Sequence, residues 1–426
     1  MNKLYCVILL FFASTTFAQK TYIQCGRLID GVANTTQTEM TIVVEGKLIT
    51  DIQKGYTSGS TSDKIIDLKN KTVMPGLIDC HVHLEGQGSK NSIVEGFTFT
   101  DADIAYHAAV YAKRTLMAGF TTVRDLDGSG VNISLRKAVK QGLVDGPRII
   151  TAGRAISGSG GHMDPSVGFR DDAFNHRPGP DEGVADGKDE VIKAVRLQFK
   201  RGSDLIKIAS TGGVLDLSED GSGAQYSIEE IKAIVETAKD YGMRVACHAH
   251  GAEGIRRAIL GGVTSIEHGT FMNDEDMELA KKYGTYLVPT IIAGKSVADS
   301  AKIPGYFPPV IARKALEVGT QIQNTFAKAY KSGVKIAFGT DAGVYAHGKN
   351  YIEFQYMVEA GMPPMEAIKA ATTSAADLLG MSNKIGSIST GKFADIIAVD
   401  GDPIKDIKTM KNIAFVMKEG KSYSNQ

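Results

Sequence analysis

Two pairs of histidines in the sequence have the spacing of metal ligands. One pair is His81 and His83, and the other is His248 and His250. On a β-strand the two members of a pair would point to the same side, because side chains alternate along a strand. Each pair could then bring two imidazole nitrogens to one ion, and imidazole is a common ligand of Zn²⁺. A single H-x-H is a weak signal, since the same spacing also occurs in structural histidines.

Three further residues strengthen the metal hypothesis. Lys207 stands in the middle of the apolar run LIKIA, His268 ends the run SIEH, and Asp341 follows FGT. A lysine buried in a strand is costly unless a carboxylate pairs with it, its pKa falls or a covalent modification changes its charge. Five of the nine histidines belong to this set. Nitrogen and carboxylate ligands of this kind suit Zn²⁺ or a similar divalent ion.

The segments that must position these residues alternate between short apolar runs and longer helical patterns. Strands that alternate with helices are typical of α/β folds with parallel βαβ units, and eight of them close a (β/α)8 TIM barrel. The chemistry of such a barrel lies at the carboxyl ends of its strands, where most of these residues lie. The predicted strands are residues 73–83, 121–127, 148–153, 204–209, 244–250, 264–268, 285–289 and 334–341. The predicted helices are residues 104–118, 189–200, 227–241, 252–260 and 311–332.

The two ends of the chain have a different texture from the barrel segment. Residues 21–72, and those from Gly386 onward, carry short alternating apolar runs broken by Gly and Asn, which is typical of small antiparallel β-structure. We predict that the two ends pair into one small β-sandwich domain. Its bounds would be residues 19–72 plus 386–426, and the barrel would occupy residues 73–385.

The first 18 residues have the layout of a secretory signal peptide. Lys3 precedes an apolar run at residues 4–12, and the small residues Thr16 and Ala18 occupy the −3 and −1 positions of a cleavage site. The alternative is a buried first strand or helix. No later run reaches the roughly 18 apolar residues of a membrane helix. We therefore expect a secreted or periplasmic protein that does not interact with a membrane after cleavage.

The overall composition excludes some classes of partner and of scaffold. The chain has 48 basic and 48 acidic residues, so it lacks the positive charge that nucleic-acid binding requires. Cys25, Cys80 and Cys247 remain after the leader, an odd number with wide spacing, so a disulfide framework is not expected. A small-molecule substrate is the expected partner, and a homo-oligomer is compatible with the sequence.

The order of these residues resembles the amidohydrolase superfamily, in particular its members with a carboxylated lysine. The motifs MPGLID at residues 74–79 and GKFAD at residues 391–395 are similar to signatures of that superfamily. The motif CHAHG, followed by IEHGT, resembles the imidazolonepropionase-like group, which includes Xaa-Pro and Xaa-Arg/Lys dipeptidases and ochratoxin-type amidases. The likeness covers nearly the whole chain after the leader.

The resemblance implies a binuclear site with two divalent ions of the Zn²⁺ type. The implied ligands are His81, His83 and Asp341 for one ion, His248 and His268 for the other, and a carboxylated Lys207 between them. A hydroxide shared by the ions would attack the substrate carbonyl. Asp341 would accept the proton of this hydroxide and pass it to the departing amine.

Four other residues are weaker candidates. His250 could steady the carbonyl oxygen of the substrate, or it could bond only to loop backbone. His162 lies in the Gly-rich loop SGSGGHMD and could donate to an oxyanion or a carboxylate, or serve ordinary loop structure. Arg124 and Tyr226 could meet a substrate carboxylate, although a structural role is favoured for both, and Arg124 could pair with Asp125. We expect residues 155–187 to form a lid or a pocket wall.

The prediction is an enzyme that cleaves an amide or peptide bond next to a C-terminal amino acid. It would be a dipeptidase, a carboxypeptidase-like enzyme or an N-acyl amino acid amidase. One alternative is a mononuclear deaminase or cyclic-amide hydrolase of the imidazolonepropionase kind. Glu85 and Gln87 follow the first histidine pair, and a glutamate near a metal is compatible with such an enzyme. Such deaminases usually lack the lysine on strand four. Another alternative is an inactive binding protein, but that class is expected to have lost at least one of the six ligands.

Overall fold

The computed structural model describes residues 19–173 and 175–423. The predicted signal peptide at residues 1–18 lies outside the described residues. The strands are β1 (Lys20–Leu28), β2 (Gln37–Glu45), β3 (Leu48–Lys54), β4 (Lys64–Pro75), β5 (Leu77–Val82), β6 (Phe120–Asp125), β7 (Arg148–Thr151), β8 (Ile206–Ala209), β9 (Val245–Ala249), β10 (Ser265–His268), β11 (Tyr286–Val288), β12 (Ile396–Val399), β13 (Ile413–Lys418) and β14 (Lys421–Tyr423). The helices are α1 (Ser92–Thr98), α2 (Asp101–Met117), α3 (Val131–Gln141), α4 (Gly187–Arg201), α5 (Ile228–Asp240), α6 (Ala252–Gly261), α7 (Asp274–Tyr283), α8 (Ile291–Ala301), α9 (Pro309–Ser332), α10 (Ile352–Glu359), α11 (Pro364–Lys369) and α12 (Ala375–Leu378). Within the described part of the chain, no helix has both the length and the hydropathy to span a bilayer.

Two short parallel sheets form the barrel. One has the order β5-β6-β7 and the other β11-β10-β9-β8. At one junction, Ile156 exchanges backbone hydrogen bonds with Lys207 and Ala209 at 2.8 and 3.1 Å. At the other, residues 335–342 bridge β11 to β5, through Ala337 N to Leu287 O and Cys80 N to Phe338 O. Eight strand segments thus follow one another in ring order, as the predicted (β/α)8 architecture requires.

Two predicted strands differ from the observed ones. The predicted strand at residues 73–83 is two strands, because β4 ends at Pro75 in one sheet and β5 begins at Leu77 in another. The chain passes between them at Gly76, where a Cβ atom would lie 2.1 Å from Thr121 Oγ1. Residues 334–341 make isolated bridges at Ile336, and at Ala342 beyond the predicted end, instead of a continuous ladder.

The helices on the outside of the barrel bury one face each. In α5, the Ser227 hydroxyl accepts from the backbone N–H of Glu230, and the Glu230 side chain bonds back, so a capping box starts the helix. Ile231, Ile234 and Ala238 are buried at spacings of three and four residues, which puts them on one face. The predicted helices correspond to α2, α4, α5, α6 and α9 and are confirmed.

Both chain ends contribute to a seven-stranded sheet with the order β14-β13-β12-β4-β1-β2-β3. The sheet curls, because Ile49 N donates to Lys392 O and Ala394 N to Lys47 O, which joins the β2–β3 hairpin to the segment before β12. Side chains from strands along the whole sheet meet in one buried cluster: Ile23, Ile42, Ile49, Leu68, Val73, Ile396, Ala398 and Met417. Strands from both ends of the chain therefore share one sheet and one buried cluster.

A partly buried ion-pair network joins the seven-stranded sheet to the barrel. Arg148, at the start of β7, donates to Asp395 Oδ2 at 2.7 Å and to Glu419 Oε1 at 2.8 Å. The three cysteines of the described chain, Cys25, Cys80 and Cys247, are buried and free, as the expected absence of a disulfide framework requires.

Candidate active site

One cavity at the carboxyl end of the barrel collects the residues singled out in the sequence. Its volume is about 220 Å³, and its polar lining includes His81, His83, His162, Lys207, His248, His250, His268 and Asp341. The barrel explains this convergence, since the carboxyl ends of parallel strands meet on one face. The structure thus brings together all six residues implied as ligands.

The tightest group in the cavity consists of His81, His83 and Asp341. The Nε2 atoms of the two histidines are 3.3 Å apart, and Asp341 Oδ1 lies 3.0 Å from His83 Nε2 and 3.5 Å from His81 Nε2. One ligand atom of each residue lies within 4.8 Å of the others. Such a group of two imidazoles and a carboxylate could hold a divalent metal ion.

Lys207 is the least satisfied side chain in the cavity. Its exposure is 1%, and its Nζ has no hydrogen-bond partner among the described residues. No carboxylate of the described chain lies within ion-pair distance of Lys207 Nζ. The structure therefore does not show the alternative, a buried lysine paired with a carboxylate. Burial lowers the pKa of this amine, since a charge without a partner is unfavourable away from water. A buried, unpaired amine next to a group of ligands fits a modified lysine that binds metal.

Three further histidines line the same cavity. The ring of His248 lies 4.7 Å from that of His250 and 4.7 Å from that of His268, measured between centroids. Burial lowers the pKa of all three, that of His250 to about 3 and those of His248 and His268 well below the usual value. These imidazoles are therefore neutral at neutral pH, and a neutral imidazole has a lone pair with which it can bind a metal.

Threonine hydroxyls fix two of these rings. Thr270 Oγ1 lies 2.8 Å from His250 Nδ1, and Thr290 Oγ1 lies 2.7 Å from His268 Nδ1. In both cases Nε2 is left for the cavity. His248 is oriented differently, because its Nε2 lies 3.1 Å from the carbonyl oxygen of Gly212, which leaves its Nδ1. Partners of this kind set the tautomer and the direction of a metal-binding imidazole.

Glu267 is a site residue to which the sequence analysis gave no role. Its fully buried carboxylate accepts from Arg124 at 2.8 Å and lies 3.0 Å from His81 Nδ1. Burial alone would raise its pKa, but the Arg124 guanidinium and His81 outweigh burial and lower it to about 2. The expected pairing of Arg124 with Asp125 is wrong, because Asp125 accepts from Asn132 instead. A glutamate directly before His268 in a buried strand was the available signal.

His162, on the long loop after β7, lines the cavity. Its Nδ1 lies 2.5 Å from Asp216 Oδ2, and its ring lies 4.3 Å from that of His248. Asp216 is in turn held by the buried Lys314, at 2.9 Å. The sequence could not indicate this chain of contacts, because the three residues come from separate segments. Tyr226 does not line the cavity, since its hydroxyl donates to Ala185 O, so its favoured structural role is confirmed.

Several known proteins resemble this chain in sequence or in structure. A model of the amidohydrolase family matches residues 72–423, which is more than half of the chain. The chain belongs to the amidohydrolase family. Ochratoxinase from Aspergillus niger is 34% identical, and the match covers 96% of this chain and 88% of that protein. A solved Xaa-Pro dipeptidase with bound methionine in the active site has a TM-score of 0.93 at 49% identity, and the match covers 96% of this chain and 100% of that one. A prolidase complexed with N-methylphosphonate-L-proline has a TM-score of 0.87 at 30% identity, with the same coverage.

These matches confirm the superfamily and the fold that the sequence indicated. This amidohydrolase is a hydrolase that acts on C–N bonds. The family generally uses metal ions, and in this amidohydrolase the group of His81, His83 and Asp341 could hold one.

Backbone conformation at the site is unusual. Five non-glycine residues in the described chain have a positive φ, and three of them are His268 at 71°, Thr290 at 50° and Asp341 at 58°. Such conformations are rare for residues with a Cβ atom and persist only where surrounding contacts enforce them. One enforcing contact is Glu353, whose buried carboxylate accepts from the N–H groups of Ile291 and Ile292 directly after Thr290.

A second buried carboxylate holds the segment that carries Asp341. Asp79, in β5, accepts from the Thr340 hydroxyl at 2.6 Å and from the Asn350 amide at 2.7 Å. Burial raises the pKa of Asp79 to about 7. Because Asp79 precedes His81 by two residues and Thr340 precedes Asp341, these bonds keep the carboxylate of Asp341 opposite the first histidine pair.

We predict that Glu267→Gln weakens metal binding by roughly ten- to a hundredfold, because His81 loses the anion that orients it. The measurement is a Zn²⁺ titration of protein from which metal has been removed by a chelator. Glu253→Gln is the matched control, since Glu253 pairs with Arg256 and Arg257 on the surface of α6. Equal affinities of the two variants would exclude an orienting role for Glu267.

Proposed function

We propose that this chain is a binuclear metal-dependent amidohydrolase that releases a C-terminal amino acid from a dipeptide or an N-acyl amino acid. One observation carries the proposal. Two groups of candidate ligands line the same cavity as Lys207, and the amine of Lys207 is buried there with no hydrogen-bond partner in the described part of the chain. Replacing an unpaired ammonium by a carbamate would give an anion that can contact a cation on either side.

The proposed ligands divide between two ions. One ion would be held by His81, His83 and Asp341, the other by His248 and His268, and carboxylated Lys207 would contact both. The donor set is neutral nitrogen and carboxylate oxygen, which suits Zn²⁺. When bound, such ions lower the pKa of a water molecule and polarise the amide carbonyl.

Asp341 is the proposed proton carrier. Burial would raise its pKa, but His81 and His83 outweigh burial and lower it, so the carboxylate is ionised at neutral pH. An ionised carboxylate at the cavity can accept a proton from water on one of its oxygens. It then delivers this proton to the nitrogen of the departing amino acid, which would otherwise leave as an unstable amide anion.

His250 is the proposed donor to the carbonyl oxygen of the substrate. Its ring is neutral, and its Nδ1 faces the Thr270 hydroxyl. If that hydroxyl donates to Nδ1, then Nε2 carries the proton and can donate to developing negative charge in the cavity. The Nδ1 atom of His250 thus contacts a threonine side chain, whereas the structural alternative for His250 was a bond to loop backbone.

His162 is the proposed contact for the carboxylate of the substrate. Asp216 holds its Nδ1, so Nε2 remains for a ligand. The proximity of its ring to His248 puts this contact on the His248 side of the cavity. The solved relatives support a substrate with a C-terminal amino acid, since one is described as a Xaa-Pro dipeptidase and another binds N-methylphosphonate-L-proline.

A single-ion enzyme is the second candidate, and one observation favours it. Among residues 19–173 and 175–423, only His81, His83 and Asp341 form a group of three ligands within 4.8 Å. In the proposed second group, the Nε2 of His248 already lies 3.1 Å from the backbone carbonyl oxygen of Gly212. The number of bound ions separates the two candidates.

The test of the proposal is to express residues 19–426 with Zn²⁺ and bicarbonate, measure metal per chain, and assay dipeptides, N-acyl amino acids and cyclic amides. We predict about two ions per chain, release of a C-terminal amino acid, and loss of both properties in Lys207→Ala. Lys200→Ala, on the exposed face of α4, is the control and should resemble wild type. One ion per chain with turnover of cyclic amides alone would favour the mononuclear enzyme, and full occupancy in Lys207→Ala would contradict a bridging lysine.

We predict that His250→Asn lowers kcat by about a hundredfold or more while both ions stay bound, because the variant loses a donor that acts on the transition state. Metal analysis of the same sample decides the assignment. Loss of an ion in this variant would mean that His250, and not His248, is the ligand of its pair.

Export is part of the proposal and rests on the leader sequence alone. We predict that the protein accumulates outside the cytoplasm of a bacterial host with Gln19 as its first residue. Cell fractionation followed by N-terminal sequencing measures this directly. A cytoplasmic chain that begins at Met1 would contradict it.

A further inference from the structure

Two adjoining pockets lie between the barrel and the seven-stranded sheet. Their volumes are about 380 and 430 Å³, and Met117 of α2 and Ile413 of β13 line both of them. Neither pocket shares a lining residue with the catalytic cavity. Because the two pockets have walls in common, they form one continuous depression, which we call the junction groove.

One end of the junction groove is basic. Arg114 on α2, Lys349 before α10 and Lys411 before β13 are exposed side chains that line the first pocket, and no aspartate or glutamate lines it. In the described part of the chain none of these three cations forms an ion pair, whereas the adjacent Lys113 lies 3.9 Å from Asp145. Three like charges around one pocket repel each other, so an anion that reaches all three would be attracted.

The other end of the junction groove is mostly apolar. Met117, Ile413, Phe415, Val416 and Tyr423 line the second pocket with apolar or aromatic side chains, and no charged residue lines it. Four of these five side chains are only partly buried. Covering them with the hydrocarbon part of a ligand would remove apolar surface from water, which is favourable.

The two ends together restrict the chemistry of the ligand. A free anion would pair with the cations but leave the apolar end uncovered, and an uncharged hydrocarbon would do the reverse. A molecule with an anionic head and an alkyl chain contacts both ends at once. A phosphate monoester suits the basic end better than a carboxylate does, because it carries a charge of about −1.5 to −2 and three oxygens that accept hydrogen bonds from arginine and lysine.

We propose that the junction groove binds an alkyl phosphate. The phosphate lies between Arg114, Lys349 and Lys411 at the basic end. The alkyl chain passes Met117 and Ile413, which line both pockets, and continues into the apolar end. This site is separate from the catalytic cavity, and the inference does not depend on the proposed function.

The experiment is a calorimetric titration of the metal-loaded protein with three probes: octyl phosphate, inorganic phosphate and octanol. We expect octyl phosphate to occupy one site per chain in the junction groove. Inorganic phosphate and octanol should bind there at least about tenfold more weakly, because each of them contacts only one end of the groove.

Two variants test the two ends of the groove separately. The double variant Lys349→Gln, Lys411→Gln removes two charges from the basic end, and Ser422→Trp fills the apolar end from an exposed position on β14. We expect each of them to weaken the binding of octyl phosphate about tenfold. Lys113→Gln and Ser134→Trp are the matched controls, since both residues are exposed and line neither pocket, and they should keep the wild-type affinity.

Equal affinities for octyl phosphate in the wild type and in both variants would refute the site. Inorganic phosphate that binds as tightly as octyl phosphate would show a simple anion site, and octanol of equal affinity would show a simple apolar groove; either result overturns the inference. Octyl phosphate bound only at the catalytic metal ions would be unaffected by either variant. Because no step measures turnover, the result is independent of whether the assay above releases an amino acid.

Discussion

The burial of one amine, that of Lys207, is the constraint on which the rest of the site depends. An ammonium group at 1% exposure with no hydrogen-bond partner among the described residues is unfavourable. The amine must therefore either lose its proton or be converted into an anion that bound cations can neutralise. The surroundings are consistent with the second solution. Histidines that burial keeps neutral line the same cavity as a carboxylate that two imidazoles keep ionised. Burial of each of these polar groups alone is unfavourable, and a bound divalent ion would offset that cost.

Around these groups lies a set of contacts that limit their movement. Glu267 holds His81 and is itself neutralised by Arg124, while Thr270 and Thr290 hold two more imidazoles. The positive φ angles of His268, Thr290 and Asp341 show that the backbone pays a conformational cost to aim these side chains. Buried acids at Asp79 and Glu353 secure the segments in which that cost is stored. Several buried contacts therefore hold the candidate ligands in place.

Much of the fold and of the site could be predicted from the sequence. The alternation of strands and helices gave the barrel, because buried parallel strands require apolar runs and their helices require one apolar face. H-x-H spacing, a lysine within an apolar strand, and a strand-terminal Asp341 were enough to identify the residues that converge. The split of the predicted strand at Gly76 was missed, because both halves are apolar and β-forming and only their pairing in different sheets separates them. The pairing of Arg124 with Glu267 was missed because the two residues are 143 positions apart in the chain.

The sequence by itself thus determined the class of the protein, its barrel and the set of side chains at the centre of the cavity. These follow from local periodicity and from residue types whose burial demands a chemical reason. Only the tertiary structure decided which partner each side chain meets: Glu267 with His81, Asp216 with His162, Glu353 with the start of α8. Contacts of this kind join segments far apart in the chain, and their geometry depends on packing that no local pattern encodes.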